Sequence, residues 1–464
     1  LDFRQAVEFI WNRTDYERQW SYNYSAERFD LARVYRLLER LGSPQRGLVA
    51  AHIAGTKGKG STAAMLASIL RAAGLRVGLY TSPHLHSVRE RIQVDGRAVT
   101  REAFAQAVAS VAAACEGLPE ITSFEALTAA AFVAFRQHNV EAAVVEVGLG
   151  GRLDATNVIR PFVSVITSLS YDHTAILGRD LASIAREKAG IVKDGIPVVS
   201  ASQPEEAMAV IREAAKEHGS RLYVAGADWR YRPLAFNERA QSFAVYPPGE
   251  EASIAAGEFT VPLLGEHQLE NAVLALAAAA LAPKSFGLRR EHLALGLQQV
   301  HWPGRFEVVG REPAVVLDGA HNVDSMAKLL LALRRHLKFE RLFMVFGASR
   351  DKDVRGMLAL LPSVVTKLYL CRSRHERALA PEELSQLAGA LAVPHATFGS
   401  VEEALWAALA EAKAADCVCV CGSLFVVAAA REALAMRFGW IEREGDDLEV
   451  LAVTSNERRQ SVAG

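Results

Sequence analysis

The chain has no run of about 18 apolar residues free of charge, so no transmembrane helix is expected. Its first residues, from Leu1 to Asp15, lack the basic-then-apolar pattern of a secretory leader, which points to a cytoplasmic protein. There is little net charge. Lys and Arg number 52, Asp and Glu 53, and the pI is near 7.0. A general nucleic-acid or anionic-membrane binder needs a basic surplus, so neither partner is expected, although a local basic pocket is not excluded. Cysteine is scarce: Cys115, Cys371, Cys417, Cys419 and Cys421 are an odd set that makes no disulfide framework and fits a reducing compartment. Three of them alternate in Cys417–Cys421, a spacing that puts them on one face of a buried strand rather than around a metal.

What is present is a long soluble chain. Its 464 residues exceed what one core usually serves, so two domains are expected. Apolar runs at 48–54, 77–80, 142–147, 162–167 and 197–200 alternate with helical patterns at 61–73, 101–114, 124–138 and 181–192. That alternation predicts an α/β fold with a mostly parallel sheet. From about 221 to 262 the segments become short, aromatic and turn-rich, which predicts a small antiparallel insertion, and an Ala-rich helix follows. Pro303 and Gly304 mark a hinge, after which strands at 315–317, 342–346, 367–371 and 417–420 open a second α/β unit. The charged tail beyond about Arg437 reads as partly disordered.

The strongest local signal is His52-Ile53-Ala54-Gly55-Thr56-Lys57-Gly58-Lys59-Gly60-Ser61-Thr62, between a strand and a helix. Glycines let main-chain N–H groups wrap a phosphate, and the helix that follows adds its positive end. Lys59 would reach the terminal phosphates and the Ser61 hydroxyl would ligate Mg²⁺. Gly60 separates Lys59 from Ser61, unlike the usual P-loop spacing. Downstream, Glu146 ends a buried strand, where ligands of open α/β sheets bind, and its carboxylate could hold Mg²⁺ or simply cap a loop. Asp172-His173 follows another strand: His173 is a candidate metal ligand with Asp172 orienting it, or a structural histidine. Lys188 lies on a helical segment where such a lysine is usually solvated or paired.

Taken in order, the phosphate loop, Thr81-Ser82-Pro83-His84-Leu85, the Glu146 segment, Asp172-His173-Thr174-Ala175-Ile176-Leu177-Gly178 and Glu187-Lys188-Ala189-Gly190 resemble the folylpolyglutamate synthase and dihydrofolate synthase family of the Mur ligases. The likeness continues through Gly265-Glu266-His267-Gln268 with Asn271, Pro303-Gly304-Arg305, Asp318-Gly319-Ala320-His321-Asn322, Asp351-Lys352-Asp353 and Cys421-Gly422-Ser423-Leu424, covering about 20 to 435. It implies a P-loop-type, ATP-binding central domain at 1–299 and a smaller Rossmann-like glutamate ligase domain at 304–464.

By that resemblance Gly58, Lys59, Gly60, Ser61 and Thr62 hold the ATP phosphates, and two Mg²⁺ ions lie among Ser61, Ser82, Glu146 and His173. Lys59, His173 and Lys188 carry catalysis, Lys188 as a carbamate that helps organise the second ion. Asn271 would contact the adenine end, while Arg305, Asp318 and His321 would reach phosphate and ribose from the second domain. Thr122, Phe124, Asp154 and Ala155 would hold the folate, and Ser423 would line the glutamate site. Phe124 could stack on a pterin or begin a helix as a core aromatic.

The implied reaction is ATP-dependent addition of L-glutamate to folate, to dihydropteroate, or to both, through an acyl phosphate, by a monomer whose partners are small molecules. One alternative is a Mur ligase acting on a cell-wall precursor, but only about fifty residues precede Gly55, too few for its extra N-terminal domain. The other is a non-catalytic nucleotide-binding protein, which has no use for a second metal set.

Overall fold

The computed structural model of the chain describes residues 1–15, 30–118, 120–172, 174–391, 393–438, 441–444 and 447–450. The first half is built on an eight-stranded sheet of β1 (Ala50–Ala54), β2 (Val77–Tyr80), β3 (Ile92–Val94), β4 (Arg97–Ala98), β5 (Ala142–Glu146), β6 (Val163–Ile166), β7 (Val198–Ser200) and β8 (Leu222–Val224). Their order across the sheet is β4-β3-β2-β5-β1-β6-β7-β8. The pairs from β2 through β8 are parallel, and only β2–β3 and β3–β4 are antiparallel. Helices cover both faces, so β1, β2, β5, β6 and β7 are buried along their whole length and read as unbroken apolar runs.

On one face the helix Lys59–Ala72 is wedged between the sheet and two further helices, Glu266–Ala280 and Arg290–Gln299. Being enclosed on several sides, it is rich in Ala and Leu rather than amphipathic. On the other face Arg101–Ala114 and Ser123–Gln137 pack together, with Phe104, Phe132 and Phe135 buried between them and the sheet. β9 (Arg230–Phe236), β10 (Gln241–Tyr246) and β11 (Gly257–Val261) form the antiparallel insertion, in the order β11-β10-β9. It begins later than the aromatic pattern suggested, because Leu222–Val224 extends the main sheet as a parallel edge strand.

Residues 300–306, with Pro303 and Gly304, carry no regular element. Beyond them lie β12 (Glu307–Arg311), β13 (Ala314–Leu317), β14 (Leu342–Phe346), β15 (Lys367–Leu370), β16 (His395–Thr397) and β17 (Cys417–Cys421). They pair in the order β12-β13-β17-β14-β15-β16, parallel except for β12–β13. On β17 the three cysteines share one core with Met344 and Phe346, while Val418 and Val420 face the opposite core. The alternating thiols are therefore packing groups.

The tail departs from expectation at its start: β18 (Ile441–Glu444) and β19 (Asp447–Val450) pair antiparallel. Residues 451–464 lie outside the described residues. Among the described residues no helix is long and apolar enough to cross a membrane.

Candidate active site

The loops after β1 and β6 meet those after β13 and β14, Lys57 reaching His321 and Asp172 reaching Lys352, and several of the described sequence-predicted residues lie around them. After β1 the backbone turns at Gly55 (φ 149°) and Gly58 (φ 89°) before entering the helix at Lys59. A side chain at Gly55 would collide with Thr167, and one at Gly58 would lie 2.2 Å from the Asn271 amide oxygen. Only glycine lets the loop close this tightly. Gly58 caps the helix without a side-chain hydrogen bond, which leaves the first-turn N–H groups of Lys59, Gly60 and Ser61 for an anion. Thr62 continues the helix by donating its N–H to Gly58 O at 2.9 Å.

Glu146 ends β5 almost fully buried, with one carboxylate oxygen accepting the Ser82 N–H at 3.3 Å. Lys59 Nζ stands 3.8 Å from the other. Burial pushes the Glu146 carboxyl above its usual range, opposed by Lys59, the Ser82 N–H and Arg305. Arg305 comes from beyond the linker. Its guanidinium is held below its ordinary pKa by burial and faces both Asp318 and Glu146. The Glu146 carboxylate is a hard oxygen donor of the kind Mg²⁺ prefers, and Lys59 is the cation beside it here. His173, the expected fourth ligand, lies outside the described residues.

Lys188, on the helix Leu181–Ala189, is buried, and its pKa falls to about 7. Desolvation is the main cause, Lys59 and Lys57 add to it, and Asp172 and Asp154 oppose it. Lys57, Lys59, Lys188, Lys352 and Arg305 thus share this region with Glu146, Asp154, Asp172 and Asp318, a dense cluster of both signs.

Several predicted ligands have local duties as well. Thr122 caps the helix Ser123–Gln137 in a reciprocal pair with Glu125. The Asp154 carboxylate accepts from Leu149 N at 2.9 Å, Thr156 N at 3.0 Å and the Thr156 hydroxyl, and so shapes the loop after Glu146. Phe124 lies 6.0 Å from Tyr80 and closes over Gly148, where a Cβ would meet its ring at 2.5 Å. Ala155 is buried in the same core. Asn271 donates to Gln268 and abuts Gly58, so it sits at the phosphate loop itself. Asp318 accepts from Phe306 N and Ala320 N, each at 2.8 Å, and fixes the turn that presents Arg305 and His321. Ser423, buried at the start of the helix Leu424–Phe438, accepts from Phe425 N at 3.2 Å. Beside this centre a cavity of about 390 Å³ is lined by Ser68, Leu79, Pro83, Trp302, Arg305 and Arg431.

Sequence reasoning gave no role to Lys57 or His52. Lys57 is in plain view in the motif but duplicates the charge of Lys59. His52 is fully buried on β1, its Nε2 2.9 Å from the Thr156 hydroxyl, and burial pushes its pKa down to about 3. In sequence it reads as one polar residue in a strand.

Residues 53–279 match the Mur ligase middle domain and residues 304–424 the Mur ligase glutamate ligase domain. The chain is 37% identical over 367 residues to the dihydrofolate synthase/folylpolyglutamate synthase of Bacillus subtilis, covering 76% of this chain and 83% of that protein. It is 39% identical to a probable bifunctional folylpolyglutamate synthase/dihydropteroate synthase of Haloferax volcanii over 93% of this chain. It spans about half the length of that protein and of its Halobacterium salinarum counterpart. Among solved structures, Escherichia coli FolC in complex with DHPP and ADP superposes with a TM-score of 0.81 at 33% identity, covering 94% of this chain and 98% of that one.

Proposed function

The chain belongs to the folylpolyglutamate synthase and dihydrofolate synthase family of Mur ligases, and we propose that it is an ATP-dependent ligase joining L-glutamate to a folate or to dihydropteroate. One observation carries this reading. The uncapped glycine loop, the buried Glu146 held by Ser82 N–H, and Arg305 from the other half of the chain converge on one space. The E. coli relative was solved with ADP and DHPP, which is the pairing that a ligase of this kind requires. On this reading 1–299 is the ATP-binding half and 304–464 the glutamate-ligase half, in keeping with the two family matches.

A carboxylate is a poor acyl donor until it is phosphorylated. The terminal phosphoryl group of ATP passes to the acceptor carboxylate, ADP leaves, and the glutamate amine attacks the acyl phosphate with release of inorganic phosphate. The protein's part is placement and charge screening. Gly58, Gly60, Ser61 and Thr62 seat the phosphates, and Lys59 and Arg305 face the transferring group from opposite halves. Ser61, Ser82, Glu146 and His173 are the residues to hold Mg²⁺, which would screen the phosphoryl oxygens. Lys188, with its pKa near 7, is suited to bind CO₂ as a carbamate and so present an anion toward the metal. Phe124, with Thr122, Asp154 and Ala155 behind it, forms the wall for the flat acceptor, and Ser423 faces the amino acid. Asp318 and His321 hold the nucleotide from the second half, with Asn271 closing over it.

The test is ADP release with dihydropteroate or with a reduced folate monoglutamate, each with and without L-glutamate. Release that depends on glutamate and on one or both acceptors is expected. ADP release indifferent to all three additions would remove the ligase reading.

A further inference from the structure

The phosphate loop holds two lysines, and only Lys59 faces Glu146. The other, Lys57, points its ammonium at two partners. It donates to Asp172 Oδ2 at 2.8 Å and to His321 Nε2 at 2.9 Å. The second bond has a defined polarity. His321 Nδ1 lies 2.7 Å from the Gly319 carbonyl oxygen, which can only accept, so Nδ1 carries the ring proton and Nε2 is left bare to accept from Lys57. From the opposite half, Lys352 Nζ reaches the other oxygen of Asp172 at 3.1 Å. Each oxygen of one carboxylate therefore holds a lysine, one from each half of the chain.

The loop backbone is fastened to the same segment. Thr56 N and Lys57 N both donate to Ser168 O, at 3.0 and 3.1 Å, and the Thr56 hydroxyl donates to Ser170 O at 3.3 Å. All four cluster side chains are at most 28% exposed, so water competes weakly for these bonds.

We propose that Lys57 is a positioning residue that clasps the phosphate loop to the C-terminal half through His321 and, with Lys352, through Asp172. Lys59 and the loop N–H groups meet the phosphates; Lys57 sets where that loop stands relative to the second half. The inference rests on the loop being a nucleotide site and is independent of which acceptor the enzyme uses.

The experiment compares full-length wild type with Lys57→Met, Lys57→Arg and Lys352→Met, by small-angle X-ray scattering without ligand and by calorimetric titration with ADP. Both methionine variants should show a larger radius of gyration than wild type. Lys57→Met should weaken ADP by roughly fivefold or more, the lower range for coupled equilibria. Lys57→Arg keeps the charge opposite Asp172 and should recover part of both effects. Wild-type scattering in the two methionine variants overturns the proposal, whether ADP affinity falls, which would make Lys57 a direct phosphate ligand, or only the melting temperature falls, which would make it a structural charge. Because scattering is read without nucleotide or acceptor, its result holds even if the ligase assay fails.

Discussion

Lys188 shares its surroundings with Lys57 and Lys59, and two carboxylates do not offset the cost of keeping a third ammonium out of water. With a pKa of about 7 its amine is largely neutral just above that pH, and CO₂ adds only to the neutral form. Addition to the neutral amine releases one proton and leaves an anion; counted from the ammonium, two protons leave and a cation becomes an anion. ¹³C NMR of the protein in labelled bicarbonate at pH 8 is expected to show a carbamate carbon that fades below pH 7 and is missing in Lys188→Ala. No signal in wild type at pH 8 would remove the carbamate.

The same shift has a stability consequence, and its sign can be worked out. Between the folded value near 7 and the ordinary lysine value of 10.5, unfolding takes up a proton, so stability rises with pH across that window. The cost of the buried amine is greatest below pH 7 and gone above 10.5. Lys188→Met should therefore raise the melting temperature of the ligand-free protein at pH 6.5 by more than at pH 9.5. An equal or opposite difference would contradict the lowered pKa. Sequence showed that Lys188 occupies a family position; it could not show the desolvation, which depends on neighbours 129 to 131 places earlier in the chain.

At the scale of elements, the helix Lys59–Ala72 carries the loop, and its position is set by what lies behind it. Gly296, in the helix Arg290–Gln299, meets that helix backbone to backbone: a Cβ there would stand 2.4 Å from Ile69 Cα. Main chain cannot yield as a flexible side chain does, so Gly296→Ala must push the two helices apart. A loss of about 1–3 kcal/mol, the usual range for overpacking, is expected as a lower urea midpoint, together with weaker ADP binding. A wild-type midpoint would show that the contact is slack. Gly58→Ala should act more locally. Its positive φ costs an alanine about 1–3 kcal/mol and its Cβ would strike Asn271, so ADP binding should be lost while most of the stability remains. ADP titration that leaves affinity unchanged would exclude the loop as the phosphate seat.

These glycines differ in legibility. Gly58 announces itself in a motif, whereas Gly296 looks like a flaw in an amphipathic pattern, because its reason lies on another helix. Long fully buried strands were readable from their apolar runs, but β3, β4, β12 and β16 were not: the first two are three and two residues long, and the others lie at sheet edges. Likewise the family resemblance offers Thr122 and Asp154 as ligand residues, and both also cap helical turns, a duty that the Thr-x-x-Glu spacing to Glu125 announces for Thr122. Capping and ligation use the same short oxygen side chains.

Across the whole molecule, apolar packing is divided. The cores of the first half draw on residues up to Val300, and those of the second on Phe306 and beyond, with Leu264 as the single buried residue crossing over among the described residues. Apart from Leu264 and the Phe236 ring against His336 and Arg335, the described contacts that join the halves are mainly polar: the Lys57, Asp172, His321 and Lys352 cluster, Arg431 with His86, and His336 with the backbone of Gly265 and Asn237. Such contacts contribute less cohesion than a shared core, so each half should unfold as its own cooperative unit. Differential scanning calorimetry of the ligand-free protein is expected to resolve two transitions. On the proposed reading, in which Gly58–Thr62 hold the nucleotide on one side and Arg305 and His321 on the other, binding requires both halves to be folded. Saturating ADP with Mg²⁺, at about 100 times its Kd, adds about 2.7 kcal/mol to that joint state and should draw the two transitions toward one. If ADP raises only the transition of the first half, the second half takes no part in holding the nucleotide, and Arg305 and His321 lose their place in the site.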